Sequence, residues 1–169
     1  MLLSEVNNLR LLSFEQRPKI ILVRLLLLFF LSIWIYGFLL PVITSTDNLI
    51  SKFVLSRIYS TVCHQESVKC ISIGGTTLLV CSRCAGIYTG ALISGLLSLL
   101  VTLPEINKKI LILSTIPLTM DVFFTFTGVY TYSRSMAFST GLAFGTIIYL
   151  LNISELENLF SKKTLVGNE

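Results

Sequence analysis

Four long apolar segments restrict the fold of this chain more than any other feature. They cover residues 20–40, 78–103, 110–127 and 136–153. Each is long enough to cross the hydrocarbon core of a bilayer, which takes about 20 residues in a helix. Lipid offers no partner for an unpaired backbone group, so these segments should be helices. We therefore predict an all-α fold, an integral membrane bundle of four transmembrane helices.

The composition agrees with this prediction. Of the 169 residues, 53% are hydrophobic and only 13% are charged, whereas soluble domains carry about 25% charged residues. The 13 lysines and arginines are scattered beside the apolar segments. That distribution is typical of membrane-flanking anchors and argues against nucleic-acid binding. We expect a single domain over residues 1–169, with the lipid bilayer as its surroundings.

The connections between the spans differ in length. The first link, residues 41–77, is long and carries a cysteine and histidine motif, while the other two are short and give an antiparallel series. Apolar residues at helical spacing within the first link predict a short interfacial helix, or an extension of buried helix. Lysine and arginine are more numerous on the N-terminal side of the membrane. This bias predicts a multi-pass cell-membrane protein with both termini in the cytoplasm.

Three charged residues should share one layer near the membrane surface. Alternating span directions bring Arg83, Asp121 and Arg134 to the same level. A charge inside a bilayer costs about 2.5–3.5 kcal/mol and normally faces a partner. We therefore predict that Asp121 pairs with Arg83 or Arg134, in a functional site or merely to fix helix register. Pro117 precedes Asp121 by four residues and is expected to kink the third span, opening a cavity beside the carboxylate.

Small residues recur at every fourth position in the second and fourth spans. Such stripes let helix backbones approach closely. They predict that these two spans are neighbours, and a spare stripe would allow a homodimer. The residues are Gly86, Gly90, Ser94 and Ser98 in one span and Ala137, Gly141 and Gly145 in the other.

Four cysteines and one histidine are the candidates for chemistry. Cys63 is followed by His64, Cys70 stands alone, and Cys81 and Cys84 form a C-x-x-C where the second span opens. The first interpretation is a metal site. Thiolate and imidazole ligands suit tetrahedral zinc or another soft divalent metal.

The second interpretation is a thiol redox site. Cys81 and Cys84 are predicted at a helix N-terminus beside Arg83, where the helix dipole and the cation lower a thiol pKa. Electrons would then pass to a membrane quinone or to a partner protein, with Cys63 and Cys70 as a second pair. The third interpretation is one or two structural disulfides in the first link, which an oxidising compartment permits.

Four stretches of the chain resemble an uncharacterised family of small prokaryotic membrane proteins, known only as a domain of unknown function. The family is marked by CHQ followed by CxRCxGIYxG. The stretches here are "CHQ", "VCSRCAGIYTG", an intramembrane "MD" and "SRSMAFSTGLAFG". The resemblance brings no activity with it, but it points to a set of positions: Cys63, His64, Gln65, Cys81, Arg83, Cys84, Gly86, Tyr88, Gly90, Asp121, Arg134, Gly141 and Gly145.

The chain also departs from this family. The family tends to have an arginine and a serine where Lys69 and Cys70 stand, and a glycine where Val122 stands. The resemblance therefore leaves Cys70 outside a shared site. It implies a polar layer with Gln65 and Tyr88 in it, and it favours a metal site over a redox relay. The implied metal ligands are Cys63, His64, Cys81 and Cys84.

Overall fold

A computed structural model describes the backbone of residues 2–44, 49–100 and 108–166, and the side chains of residues 20–44, 50–100 and 109–156. Within these ranges the chain forms five α-helices, a short 3-10 turn and a two-stranded antiparallel sheet. Four of the helices are long and apolar enough to cross a membrane. The predicted fold class is confirmed, and the short helix predicted within the first link is present.

The helices are α1 (Leu2–Thr44), α2 (Leu49–Tyr59), α3 (Ser82–Leu100), α4 (Lys108–Phe126) and α5 (Arg134–Val166). Two strands, β1 (Cys70–Ile73) and β2 (Thr76–Cys81), form a hairpin between α2 and α3. The 3-10 turn Ser67–Lys69 precedes β1. The segments suited to cross the membrane are Ile20–Thr44, Ser82–Leu100, Lys109–Phe126 and Arg134–Leu156.

Two helices are longer than their predicted spans. The sequence predicts that the first span ends at residue 40, but α1 continues through the buried Pro41 to Thr44. Prolines are tolerated inside transmembrane helices, because neighbouring groups satisfy the freed carbonyls. The last span is predicted to end at residue 153, but α5 continues to Val166 through a segment rich in leucine, glutamate and lysine, which are good helix formers. The short link predicted after residue 103 lies largely outside the described residues.

The largest departure from prediction is the β-hairpin. The sequence predicts helix from residue 78, but residues 78–81 belong to β2 and α3 begins only at Ser82. Gly74 and Gly75 connect the strands with φ angles of 58° and 81°. Only glycine adopts this pair of conformations without a penalty, and it makes a tight hairpin turn. Threonine and valine in β2 add strand preference, so Cys81 ends a strand and does not lie in the opening turn of a helix.

α3 and α5 form the centre of the bundle, and glycines set their separation. A Cβ atom on Gly90 would lie 2.2 Å from the carbonyl oxygen of Leu142. One on Gly145 would lie 2.0 Å from the carbonyl oxygen of Ile87. The second and fourth spans are therefore neighbours, as predicted. Because these glycines pack within one chain, a homodimer remains a prediction that needs another surface.

α1 packs beside α3, and α2 is tied to α1. The Arg24 guanidinium donates a hydrogen bond to the Ser98 carbonyl, near the end of α3 that lies away from the cysteines. The Tyr59 hydroxyl, at the end of α2, donates to the Trp34 carbonyl at 2.6 Å. Phe38 and Tyr59 are buried in the core between these helices. The first link is therefore folded back onto the bundle.

We expect Gly90→Ala to destabilise the bundle. The new methyl group would meet the α5 backbone, which has no rotamer to escape into, and overpacking of this kind costs about 1–3 kcal/mol. Gly95→Ala is the matched control, because its methyl group would meet the movable side-chain ends of Leu28 and Tyr149. Thermal unfolding in detergent should give a clearly lower midpoint for Gly90→Ala than for Gly95→Ala. Equal midpoints would show that the backbone contact is unimportant.

Candidate metal centre

Three cysteine thiols meet where the hairpin ends and α3 begins. Cys63 comes from the link after α2, Cys81 is the last residue of β2, and Cys84 lies in the first turn of α3. Their sulfur atoms all lie within 4.8 Å of one another, and all three thiols are free. With zinc–sulfur bonds of about 2.3 Å, the sulfurs of a tetrahedral site are about 3.8 Å apart. Small shifts would therefore bring these three sulfurs onto one metal ion.

The Cys63 sulfur is surrounded by backbone donors. The Cys81 amide donates to it at 3.2 Å, and the Gln65 amide is a second donor. Gln65 has a φ of 50°, in the left-handed region that few side chains adopt. Its side chain is fixed by Ser56, whose hydroxyl donates to Gln65 Oε1 at 2.8 Å and whose carbonyl accepts from Gln65 Nε2 at 2.9 Å. The turn at residues 63–65 is therefore held in place by Ser56 and directs backbone amides toward the Cys63 sulfur.

The electrostatics favour a thiolate at Cys63. Hydrogen bonds from the Cys81 thiol, and then from the Cys84 thiol, lower the Cys63 pKa far below its ordinary value. Burial opposes this shift but is the smaller effect, and the two backbone amides assist it. At Cys70, by contrast, burial is the main cause that raises the pKa to about 11. Cys63 is therefore better suited than Cys70 to bind a metal, because the thiolate is the metal-binding form.

The structure separates the predicted ligands. Cys63, Cys81 and Cys84 lie together, but the exposed His64 is not in the group. Cys70 is 2% exposed, faces Cys81 across the hairpin, and also lies outside the group. No further histidine, cysteine, aspartate or glutamate among the described residues joins the three thiols. His64 is therefore not placed as a ligand, although it directly follows Cys63.

Aromatic side chains line the cluster on the side of the bundle. The rings of Trp34 and Tyr59 have centroids 4.7 Å apart, and those of Phe38 and Tyr88 have centroids 6.0 Å apart. All four residues pack in the same core cluster as Cys63 and Cys84. Cys63 is buried, whereas Cys81 and Cys84 are partly exposed. The remaining exposure of the cluster is therefore at the C-x-x-C pair.

Asp121 is paired with Arg83. The Arg83 guanidinium donates to one carboxylate oxygen, and the Tyr130 hydroxyl donates to the other. The side chains of Asp121 and Arg83 are 6% and 20% exposed. The sequence predicts a kink at Pro117 and a cavity beside Asp121. In the structure α4 is helical on both sides of Pro117, and both carboxylate oxygens of Asp121 accept hydrogen bonds. Arg134, the alternative partner, instead donates to the Val68 carbonyl at 3.2 Å on the exposed surface.

The loop between α4 and α5 supplies residues that the sequence did not reveal. Tyr130 binds Asp121, and the Tyr132 hydroxyl reaches the Lys69 carbonyl at 3.4 Å. The fully buried Ser82 donates to the same carbonyl at 2.9 Å. Through Tyr130 and Tyr132 this loop therefore connects the Arg83–Asp121 ion pair to the link that precedes β1. The Gly74–Gly75 pair was the one local signal that would have located the hairpin and the Ser82 junction.

This chain is similar to two archaeal proteins that are themselves described as uncharacterized. The family described as predicted membrane protein (DUF2085) matches residues 63–151, which include the three cysteines and the ion pair. An uncharacterized protein of Methanocaldococcus jannaschii is 32% identical over 136 residues, which are 75% of this chain and 86% of that protein. An uncharacterized protein of Methanothermobacter thermautotrophicus is 34% identical over 86 residues, covering 50% and 78%. No solved structure matches this chain.

We expect Asp121→Asn to destabilise the protein strongly, because it leaves the Arg83 charge without a counterion. Breaking a buried pair from one side costs about 3–5 kcal/mol, whereas replacing both partners by apolar residues is often neutral. Denaturant unfolding should therefore show a large loss for Asp121→Asn and recovery in the Arg83→Met, Asp121→Leu double variant. Arg134→Gln, which removes an exposed contact, is the control and should change little. A loss in Asp121→Asn no larger than in Arg134→Gln would rule out a buried pair.

We expect Cys63 to be a thiolate in the metal-free protein at neutral pH. Because the Cys63 pKa is lowered, its thiolate persists as pH falls through the range where ordinary cysteines are already protonated. Ultraviolet thiolate absorbance during an acid titration of chelator-treated protein measures this. Cys63→Ser should remove the signal, whereas Cys70→Ser should keep it. Loss of the absorbance near the ordinary cysteine pKa in the unaltered protein would contradict the assignment.

Proposed function

The chain belongs to the family of predicted membrane proteins (DUF2085), and from this premise we propose that it is a multi-pass membrane protein that binds a soft metal ion. The ligands are the thiolates of Cys63, Cys81 and Cys84, and zinc is the metal that we expect. The site lies at the membrane surface, at the N-terminus of α3. We further propose the cell membrane as its location, with both termini in the cytoplasm, from the lysine and arginine bias of the sequence.

One observation carries the proposal: thiols from three different elements converge within 4.8 Å. A link, a strand end and a helix start each contribute one sulfur, which requires a specific fold. All four cysteines are free thiols in this structure, which is the form that a metal site requires. Thiolates are soft ligands, and they suit zinc and copper(I) better than magnesium or calcium. The hydrogen bonds to the Cys63 sulfur support the same conclusion, since they stabilise the charged form.

Arg83 and Asp121 act as positioning residues in this proposal. Arg83 lies between the two ligands Cys81 and Cys84 in sequence, and its guanidinium is held by Asp121 of α4. The first turn of α3 is therefore fixed in rotation relative to α4.

A second candidate function is thiol–disulfide exchange. The Cys63 thiolate beside two thiols supports it, because a thiolate is the nucleophile in such reactions. Formation of a Cys81–Cys84 disulfide would release two protons and two electrons, and a membrane quinone would accept both to become a quinol. The protein would then contain no tightly bound metal and would cycle between a dithiol and a disulfide.

We expect close to one metal ion per chain in protein purified in detergent under a non-thiol reductant. Elemental analysis should show that Cys63→Ser, Cys81→Ser and Cys84→Ser each lose most of this metal. Cys70→Ser is the matched control, since Cys70 is buried in the same hairpin but lies outside the cluster, and it should keep its metal. A metal-free protein with a reversible Cys81–Cys84 disulfide would refute the proposal and favour the redox function.

A further inference from the structure

We infer that the metal centre is an open site, in which the chain fills three coordination positions and an exchangeable small molecule from the aqueous side fills the fourth. The inference rests on the proposed function and specifies the ligand class that the site accepts, namely water or another small donor. Zinc sites with four protein ligands are closed and structural, whereas sites with three keep one position for water or substrate. The number of protein ligands therefore decides what the centre does.

His64 is poorly placed to become the fourth ligand. Its side chain is exposed, and the residues on both sides are already held. The Cys63 sulfur accepts the Gln65 amide hydrogen bond, and the Gln65 side chain makes two hydrogen bonds to Ser56. Turning the imidazole onto a metal bound at the same sulfur would disturb this turn. Ligation by the adjacent residues Cys63 and His64 is therefore opposed by the local backbone.

Cys70 lies next to the cluster but is not one of the three thiols that converge. It faces Cys81 in the strand register, and it is 2% exposed. Just before it, Ser82 and Tyr132 hold the Lys69 carbonyl. Joining the three sulfurs would require Cys70 to move at the start of β1, next to this held carbonyl. Cys70 is therefore the nearest competing thiol, and the Cys70→Ser variant tests it.

Access favours a donor from water. Cys63 is 6% exposed, whereas Cys81 and Cys84 are partly exposed. Trp34, Phe38, Tyr59 and Tyr88 pack in the same core cluster as these cysteines. The remaining exposure of the centre is therefore at Cys81 and Cys84, and a position packed among aromatic side chains suits a small donor.

A cobalt(II) derivative tests this inference. We would load the reduced, detergent-purified protein with cobalt(II) and titrate it with imidazole, following the visible d–d absorption bands. Thiolate-to-cobalt charge-transfer bands report whether the cysteines bind the metal. We expect the d–d bands of the unaltered protein, His64→Ala and Cys70→Ser to shift with the same midpoint, since imidazole replaces an exogenous ligand in each.

The other outcomes are distinct. If only His64→Ala responds to imidazole, His64 is the fourth ligand and the open-site inference is wrong, although the proposed function stands. If only Cys70→Ser responds, Cys70 is the fourth ligand. If charge-transfer bands are present but no protein responds, the site is closed. In both cases the open-site inference is wrong and the proposed function stands. Absence of charge-transfer bands in the unaltered protein would overturn the proposed function itself.

Discussion

The close contact between α3 and α5 is the interaction on which the rest of the structure depends. Glycines let the two backbones touch, so that a Cβ atom on Gly86 would lie 2.2 Å from the Phe138 carbonyl oxygen. The starts of both helices therefore lie side by side. From there Ser82 of α3 and Tyr132, in the loop before α5, both donate to the Lys69 carbonyl of the link. These contacts hold the link beside the start of α3, where the three cysteine thiols meet.

Charge burial adds a second constraint. Arg83 lies in a segment that crosses the membrane, where an unpaired charge is costly. Asp121 of α4 pairs with it, and the Tyr130 hydroxyl donates a hydrogen bond to the second carboxylate oxygen. This network joins α4 to α3, and through the loop it reaches the link beside the cysteines. The same residues thus satisfy the energetics of the membrane and determine the orientation of the C-x-x-C segment.

Sequence reasoning located the spans and the Asp121 pair, because hydropathy and the cost of a buried charge are both evident from residue types. It missed the hairpin, since the apolar run at residues 78–81 suits a helix or a strand and only the glycine pair distinguishes them. It grouped His64 with Cys63 because the two residues are adjacent in sequence. Adjacency does not determine where a side chain points, and in the structure Gln65 adopts a left-handed conformation and His64 is exposed. Tyr130 could not be found, because its contact depends on how two helices pack.

β2 passes into α3 without any linker, since Cys81 ends the strand and Ser82 begins the helix. The hairpin and α3 are therefore joined directly, with no residue between them. A metal ion that drew the three sulfurs together would therefore act on the end of the hairpin and on the first turn of α3 at the same time. The opposite end of α3 is tied to α1 through the hydrogen bond from Arg24 to the Ser98 carbonyl.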